Sequence, residues 1–217
     1  MKKFLPVVLL LATLFLPFSS SATSTLPKVA ESVRPLQYNG TLETGETFRV
    51  NMCTVTSIDA KVNLWLTAAH CVVNETTQQF EGKYSISKHE ALPVKIDTAA
   101  DLAILKTITL SIPALRIAKT APTYGDNISV WGHPFGVDEI VYSRGYIAAP
   151  FITLGGRQLL LFGTTVAPGN SGSAILNHKN EIVSVVQAVY AYFPGFEPAG
   201  GGVKFDVLKG FLVGIVR

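Results

Sequence analysis

A chain of 217 residues with 48% hydrophobic and 15% charged residues is too apolar and too weakly charged for a disordered polypeptide. Its formal net charge is +3, and no Lys/Arg cluster follows Lys2-Lys3, which argues against a nucleic-acid-binding surface. Two cysteines exclude a Cys-rich zinc fold and a disulfide-dense miniprotein.

Lys2 and Lys3 precede the apolar run Phe4 to Phe18, and Ser19 to Ala22 follow. This charged, apolar, small-residue order predicts a secretory signal peptide over residues 1–22, cut near Ala22/Thr23. An uncleaved anchor is the alternative, but the run is short of the ~20 apolar residues that span a bilayer and contains Pro6 and Pro17. Residues 23–46 read as an extended lead-in or short pro-segment. No later stretch is long and apolar enough to cross a membrane, so the expected location is secreted or periplasmic.

From residue 47 onward, short apolar or alternating runs recur between Gly, Pro, Asn and Asp. They predict strands near Thr47–Ser57, Val62–Leu66, Tyr84–Ser87, Leu102–Thr107, Ile128–Gly132, Ile140–Ala148, Gln158–Thr164, Gly172–Leu176, Ile182–Tyr190 and Val203–Phe205. The stretch Ile108 to Asp126, with Pro113, Pro122 and Gly125, reads as a link between two halves. Gly200-Gly201-Gly202 reads as a flexible loop, and Phe205 to Val216 as a short helix whose apolar face seals a barrel. Many short strands with frequent turns suggest an all-β sandwich or barrels.

Three short motifs stand in one order. Leu66-Thr-Ala-Ala-His70-Cys71 runs an apolar strand into a histidine. Asp101-Leu-Ala-Ile-Leu-Lys106 opens a strand with an aspartate. Pro168-Gly-Asn-Ser171-Gly-Ser173 sets a serine between glycines in a tight turn. A serine hydroxyl needs a base in contact with it before it becomes a nucleophile, and a neutral imidazole supplies that base. A buried aspartate fixes the imidazole's tautomer, and a glycine-flanked turn aims backbone N–H groups at a developing oxyanion. Each motif alone is common; together, in the order His70, Asp101, Ser171, they point to acyl transfer. Asp97 is the rival acid, read as a surface charge.

TAAHC, DLAIL and GNSGS resemble the trypsin/chymotrypsin-like serine endopeptidases over roughly residues 47–210. Trp131-Gly-His-Pro-Phe-Gly136 and Pro168 to Gly172 are most similar to the HtrA-like bacterial branch. Ser173-Ala174 departs from that branch, and Gly-Asn-Ser-Gly-Ser also resembles the glutamyl endopeptidases. The sequence ends at Arg217, soon after the expected second barrel, so no PDZ domain is expected. The resemblance implies two packed six-stranded antiparallel β-barrels, about 47–112 and about 124–210, with a short C-terminal helix. It implies a secreted serine endopeptidase acting through an acyl-enzyme on protein or peptide substrates, with no cofactor and no metal. The catalytic residues would be His70, Asp101 and Ser171, and the oxyanion donors the N–H groups of Gly169 and Ser171. Thr165 and the segment Val186-Gln187-Ala188 would line the pocket for the residue before the cut. The alternative is a catalytically inactive double-barrel protein-binding module. Cys53 and Cys71 most simply pair in an exported protein, two buried thiols being the other reading. His133 is read as a structural turn residue.

Overall fold

The computed structural model describes residues 27–110, 112–154, 156–190 and 199–216. The expected signal peptide lies outside these residues. The chain runs α1 (Lys28–Glu31), β1 (Val33–Thr41), β2 (Thr47–Asp59), β3 (Leu64–Thr67), β4 (Tyr84–Ile86), β5 (His89–Asp97), β6 (Leu102–Lys106), β7 (Asn127–Gly132), β8 (Val141–Leu154), β9 (Arg157–Gly163), β10 (Ala174–Leu176), β11 (Ile182–Tyr190), β12 (Ala199–Val203) and α2 (Phe205–Leu212). The all-β expectation holds: strands β1–β6 close one barrel in the order β1-β2-β3-β6-β5-β4, and β7–β12 close a second in the order β10-β11-β12-β9-β8-β7. Every strand pair within the two barrels is antiparallel.

Alternation explains the strands. In β7, Ile128, Val130 and Gly132 are buried and their neighbours are not, the signature of a sheet with one face in a core. The inner half of β2 departs from this pattern: Cys53 through Ile58 are all buried. Cys53 and Val55 fill the first barrel, whereas Ile58 joins a separate cluster shared with the second. That shared cluster sets Leu64, Leu66, Leu102 and Ile104 against Ala174, Leu176, Ile182 and Val185. Helix α2 adds Leu208, Phe211 and Leu212 to it, so the helix seals the seam between the barrels rather than the end of one. Apolar residues at i, i+3 and i+6 give it the face it needs. Lys95 on β5 anchors its far end, donating from Nζ to the Phe211 carbonyl at 2.6 Å.

Three expectations are corrected. The first barrel begins at Val33, inside the segment read as a lead-in, because β1 pairs with both β2 and β4 and closes the barrel. Strand β5 carries Pro93 and Lys95 beside a break in register and buries only Ala91, so its sequence hides it. The triglycine lies in β12 rather than in a loop. The Phe162 ring occupies the space where a Gly200 side chain would stand, and glycine in a strand marks such close approaches.

The disulfide Cys53–Cys71 ties β2 to the turn that follows β3, across a sequence separation of 18. Closing a loop of that length removes about 3 kcal/mol of unfolded-chain entropy. Reduction, or the double substitution of both cysteines by Ser, is expected to lower the unfolding free energy by about that amount in a urea titration.

Candidate functional site

Strand β3 ends at Thr67, and Ala69–Cys71 make one tight 3-10 turn. Ala69 and Cys71 point into the core and Cys71 is covalently held, so the residue between them is turned outward. That residue is His70, with its side chain 40% exposed. Facing it is Asp101, at the end of the turn between β5 and β6. Asp97 caps this turn by accepting the Ala100 N–H at 2.9 Å, so the structure places Asp97 behind the site and Asp101 in it. Asp101 has φ 54°, a left-handed conformation that Asp tolerates better than most residues.

The pair is well defined. Asp101 Oδ1 accepts the His70 backbone N–H at 2.9 Å, and Oδ2 lies 2.9 Å from His70 Nδ1. An ionised carboxylate only accepts, so Nδ1 carries the proton and Nε2 keeps its lone pair.

Ser171 comes from the second barrel, on the loop between β9 and β10. Gly172 rests against Thr67 Oγ1 and the Ala68 backbone, which brings the serine to the His70 turn. The Ser171 hydroxyl is not hydrogen-bonded to His70 in this arrangement; such bonds tighten when substrate is present. The loop's peptide planes are fixed one by one. Phe135 N–H donates to the Pro168 carbonyl at 2.6 Å, and Ser173 N–H to the Asn170 carbonyl at 2.9 Å. Carbonyl and N–H of a trans peptide point opposite ways, so the N–H groups of Gly169 and Ser171 are turned away from these partners. Gly169 and Gly172 hold φ of 96° and 85°. A Cβ at Gly169 would overlap the His133 carbonyl, and one at Gly172 would overlap Thr54. Both the conformation and the space therefore demand glycine.

Two partners, Thr54 and Arg157, were not legible in the sequence, and Gln187, expected only as a pocket residue, has a further role. Thr54 donates its N–H to the Ser171 carbonyl at 2.9 Å and its hydroxyl to the Gly169 carbonyl at 2.9 Å. Gln187 donates from Nε2 to the carbonyls of Ala100 and Asp101. Arg157, the first residue of β9, sets Nη2 3.6 Å from Asp101 Oδ2. That exposed contact contributes at most about 1 kcal/mol. All three act across the two barrels, where no local pattern points.

The other expected pocket residues differ in exposure. Thr165 is exposed and Ala188 half-buried, while Val186 is 2% exposed and packs in the second barrel's core. A cavity of about 520 Å³ opens beside His70, lined among others by Val73, Ala99, Asp101, Arg157 and Gln187. Cys53, His70 and Cys71 cluster closely, but the two sulfurs are bonded to each other and offer no thiolate to a metal.

Residues 52–185, well over half of the chain, match the family described as trypsin-like peptidase domain. The chain belongs to that family. A probable periplasmic serine endoprotease, DegP-like, from Hahella chejuensis is 29% identical over 115 residues, which is 51% of this chain and 24% of that protein. The chain thus spans about a quarter of the length of the first curated relatives it matches. Among solved structures, the active form of the Rv3671c protease from M. tuberculosis superposes with a TM-score of 0.65 at 20% identity, covering 86% of this chain and 82% of that one. The HtrA-type protease AlgW with decapeptide superposes with a TM-score of 0.69 at 19% identity, covering 85% and 64%. At these identities the structural likeness speaks for the fold.

In this trypsin-like domain, the turn after β7 supports the serine loop, and His133 is its buried pivot, 4% exposed. Its N–H donates to Thr54 Oγ1 at 3.0 Å, its Nδ1 lies 3.2 Å from the Val137 carbonyl, and its Nε2 has no partner. Burial pushes the His133 pKa below its ordinary value, helped by Arg34 and opposed by the Val137 carbonyl and Asp138. A histidine held neutral in the fold binds its proton more readily when unfolded. Stability is then fully present above the unfolded value near 6.5 and falls as pH drops below it, by about 1.4 kcal/mol per unit, down to the lowered folded value. His133→Asn is expected to flatten that part of the stability–pH profile, measured by denaturant titration between pH 7 and 5.

Proposed function

We propose that this domain is a serine endopeptidase, exported to the periplasm or beyond, that cuts protein or peptide chains through an acyl-enzyme. The observation that carries the reading is the His70–Asp101 pair, with the serine loop bonded to Thr54 on the strand next to the one that leads to His70. Ser171 Oγ attacks the carbonyl carbon of the cut bond while His70 Nε2 takes its proton. Asp101 holds the imidazole by Nδ1–H and stabilises the imidazolium. The tetrahedral oxyanion would form between the N–H groups of Gly169 and Ser171, donors that stabilise it without reorganisation when held in place. His70 then protonates the departing amine, and the ester on Ser171 is released by water, with His70 again as base. No other group is needed for these steps. The relatives named as probable periplasmic serine endoproteases support this placement.

The pocket for the residue before the cut is proposed on Thr165, Val186, Gln187 and Ala188, of which Gln187 lines the cavity beside His70. None of these four residues carries a charge. Burying a charged substrate side chain there without a partner costs several kcal/mol, so Val, Ala or Leu is favoured.

A fluorophosphonate probe is expected to label Ser171, whereas a catalytically inactive binding module would stay unlabelled. Ser171→Ala should abolish turnover by a factor on the order of 10⁴–10⁶ with the fold intact, and Asp101→Asn by about 10⁴. Asp97→Asn should leave kcat close to wild type; a silent Asp101→Asn would reassign the acid.

Cleavage of a mixed peptide library is expected to show small or medium apolar residues before the cut, with discrimination of about 1–3 kcal/mol per methylene. A dominant preference for Arg, Lys or Glu would contradict the pocket.

A further inference from the structure

Thr54 is buried in β2 but lies beyond the strand pairing that would occupy its backbone. The pairing of β2 with β3 stops at Thr56 and Leu66, two residues away. On the other side stands Pro35 of β1, which has no N–H to donate. The N–H and carbonyl of Thr54 are thus left for partners outside the ladder, which buried polar groups require. The N–H donates to the Ser171 carbonyl at 2.9 Å, and the carbonyl accepts the Thr67 hydroxyl at 2.9 Å.

The hydroxyl is equally committed. It carries a single proton and accepts through its lone pairs. The His133 N–H donates to Thr54 Oγ1 at 3.0 Å, and a main-chain N–H has no other role to play there. The one hydroxyl proton therefore goes to the Gly169 carbonyl, 2.9 Å away.

Four successive carbonyls of the serine loop each have a donor. Phe135 N–H serves Pro168 and Ser173 N–H serves Asn170, both from the second barrel. Thr54 serves the other two, Gly169 and Ser171, from the first. The peptide joining Gly169 to Asn170 separates the two proposed oxyanion donors: the Gly169 N–H belongs to the plane before it and the Ser171 N–H to the plane after it. Gly169 has φ 96° and, without a Cβ, sets little limit on its own rotation. The Asn170 N–H of this peptide donates to the Ala167 carbonyl at 3.0 Å, and the Thr54 hydroxyl holds the opposite end. A rotation of this one plane changes the angle between the two N–H groups.

We infer that Thr54 is a positioning residue for the reaction: its hydroxyl, directed by the His133 N–H, fixes the angle between the Gly169 and Ser171 N–H groups so that both reach one oxyanion. Thr54 is 0% exposed, so it meets no substrate and acts through Gly169. The inference rests on the peptidase reading above and on its two donors.

The test compares Thr54→Val, close in shape but without the hydroxyl, with Thr54→Ser, which keeps it. Rates are taken per active site, counted by fluorophosphonate labelling carried to completion. Thr54→Val should lower kcat by about tenfold to a hundredfold, the effect of a small misplacement of catalytic groups, with KM within about twofold of wild type. Thr54→Ser should keep kcat within about threefold of wild type. A purely structural Thr54 would lower the count of active sites or the urea midpoint and leave kcat per site unchanged, which would overturn the inference while sparing the peptidase reading. An equal fall in kcat for Ser and Val would overturn it too. Should neither Thr54→Val nor Thr54→Ala fold, the wild type decides: its Thr54 hydroxyl proton should give a slowly exchanging NMR signal, and exchange at the rate of a free hydroxyl would overturn the inference. Wild-type protein that neither cleaves nor labels would overturn the two readings together.

Discussion

Thr54 joins the two barrels at the point where the chemistry requires it. Its N–H holds the Ser171 carbonyl, its hydroxyl donates to the Gly169 carbonyl and accepts the His133 N–H, and its own carbonyl accepts the Thr67 hydroxyl. Thr67 ends the strand that leads to His70. One buried residue therefore carries the register between the His70 turn and the Ser171 loop. Losing it would strand several buried polar groups, each costing about 1–3 kcal/mol. The apolar seam around Leu66, Leu102, Ile104, Leu176 and Val185 keeps the barrels together. It is non-directional, so the hydrogen bonds of Thr54 supply the orientation that apolar contact alone does not.

The same division explains the turns on either side of the site. Burial of Ala69 and Cys71 aims His70 outward, and the disulfide to Cys53 sits one residue from Thr54, so the base and the bridge are anchored to the same stretch of β2. On the other side, Phe135 and His133 set the peptide planes of the serine loop. Strain at Asp101 and Phe135, two non-glycine residues of positive φ near the site, is held in place by these bonds rather than by local preference.

Much of this was legible in the sequence where it was local. The strands beside His70, Asp101 and Ser171 announce themselves by apolar runs broken near the residue of interest; their number left a sandwich or barrels open, and the double barrel was what the family resemblance implied. Strand β1 was hidden because Pro35, Gln37 and Asn39 break its pattern, and only Val33, Leu36 and Gly40 among its residues are buried. Strand β5 was hidden because its outward face carries Glu90, Leu92 and Val94 in the open. Arg157 and Thr54, and the bonds that Gln187 makes to Ala100 and Asp101, could not be found because each acts on a residue more than 50 positions away in the other barrel. Only the closed topology brings them together. The Pro-Phe-Gly turn was visible as a motif, but its bond to Pro168 depends on that same closure.

The most direct test of the account is the crystal structure of the protein with a peptide boronate bearing an apolar residue at boron. The account predicts a tetrahedral adduct on Ser171 Oγ, with one boron oxygen about 2.7–3.1 Å from the N–H groups of both Gly169 and Ser171 and His70 Nε2 turned to the opposite face. Absence of the adduct, or a boron oxygen directed away from those two N–H groups, would contradict it.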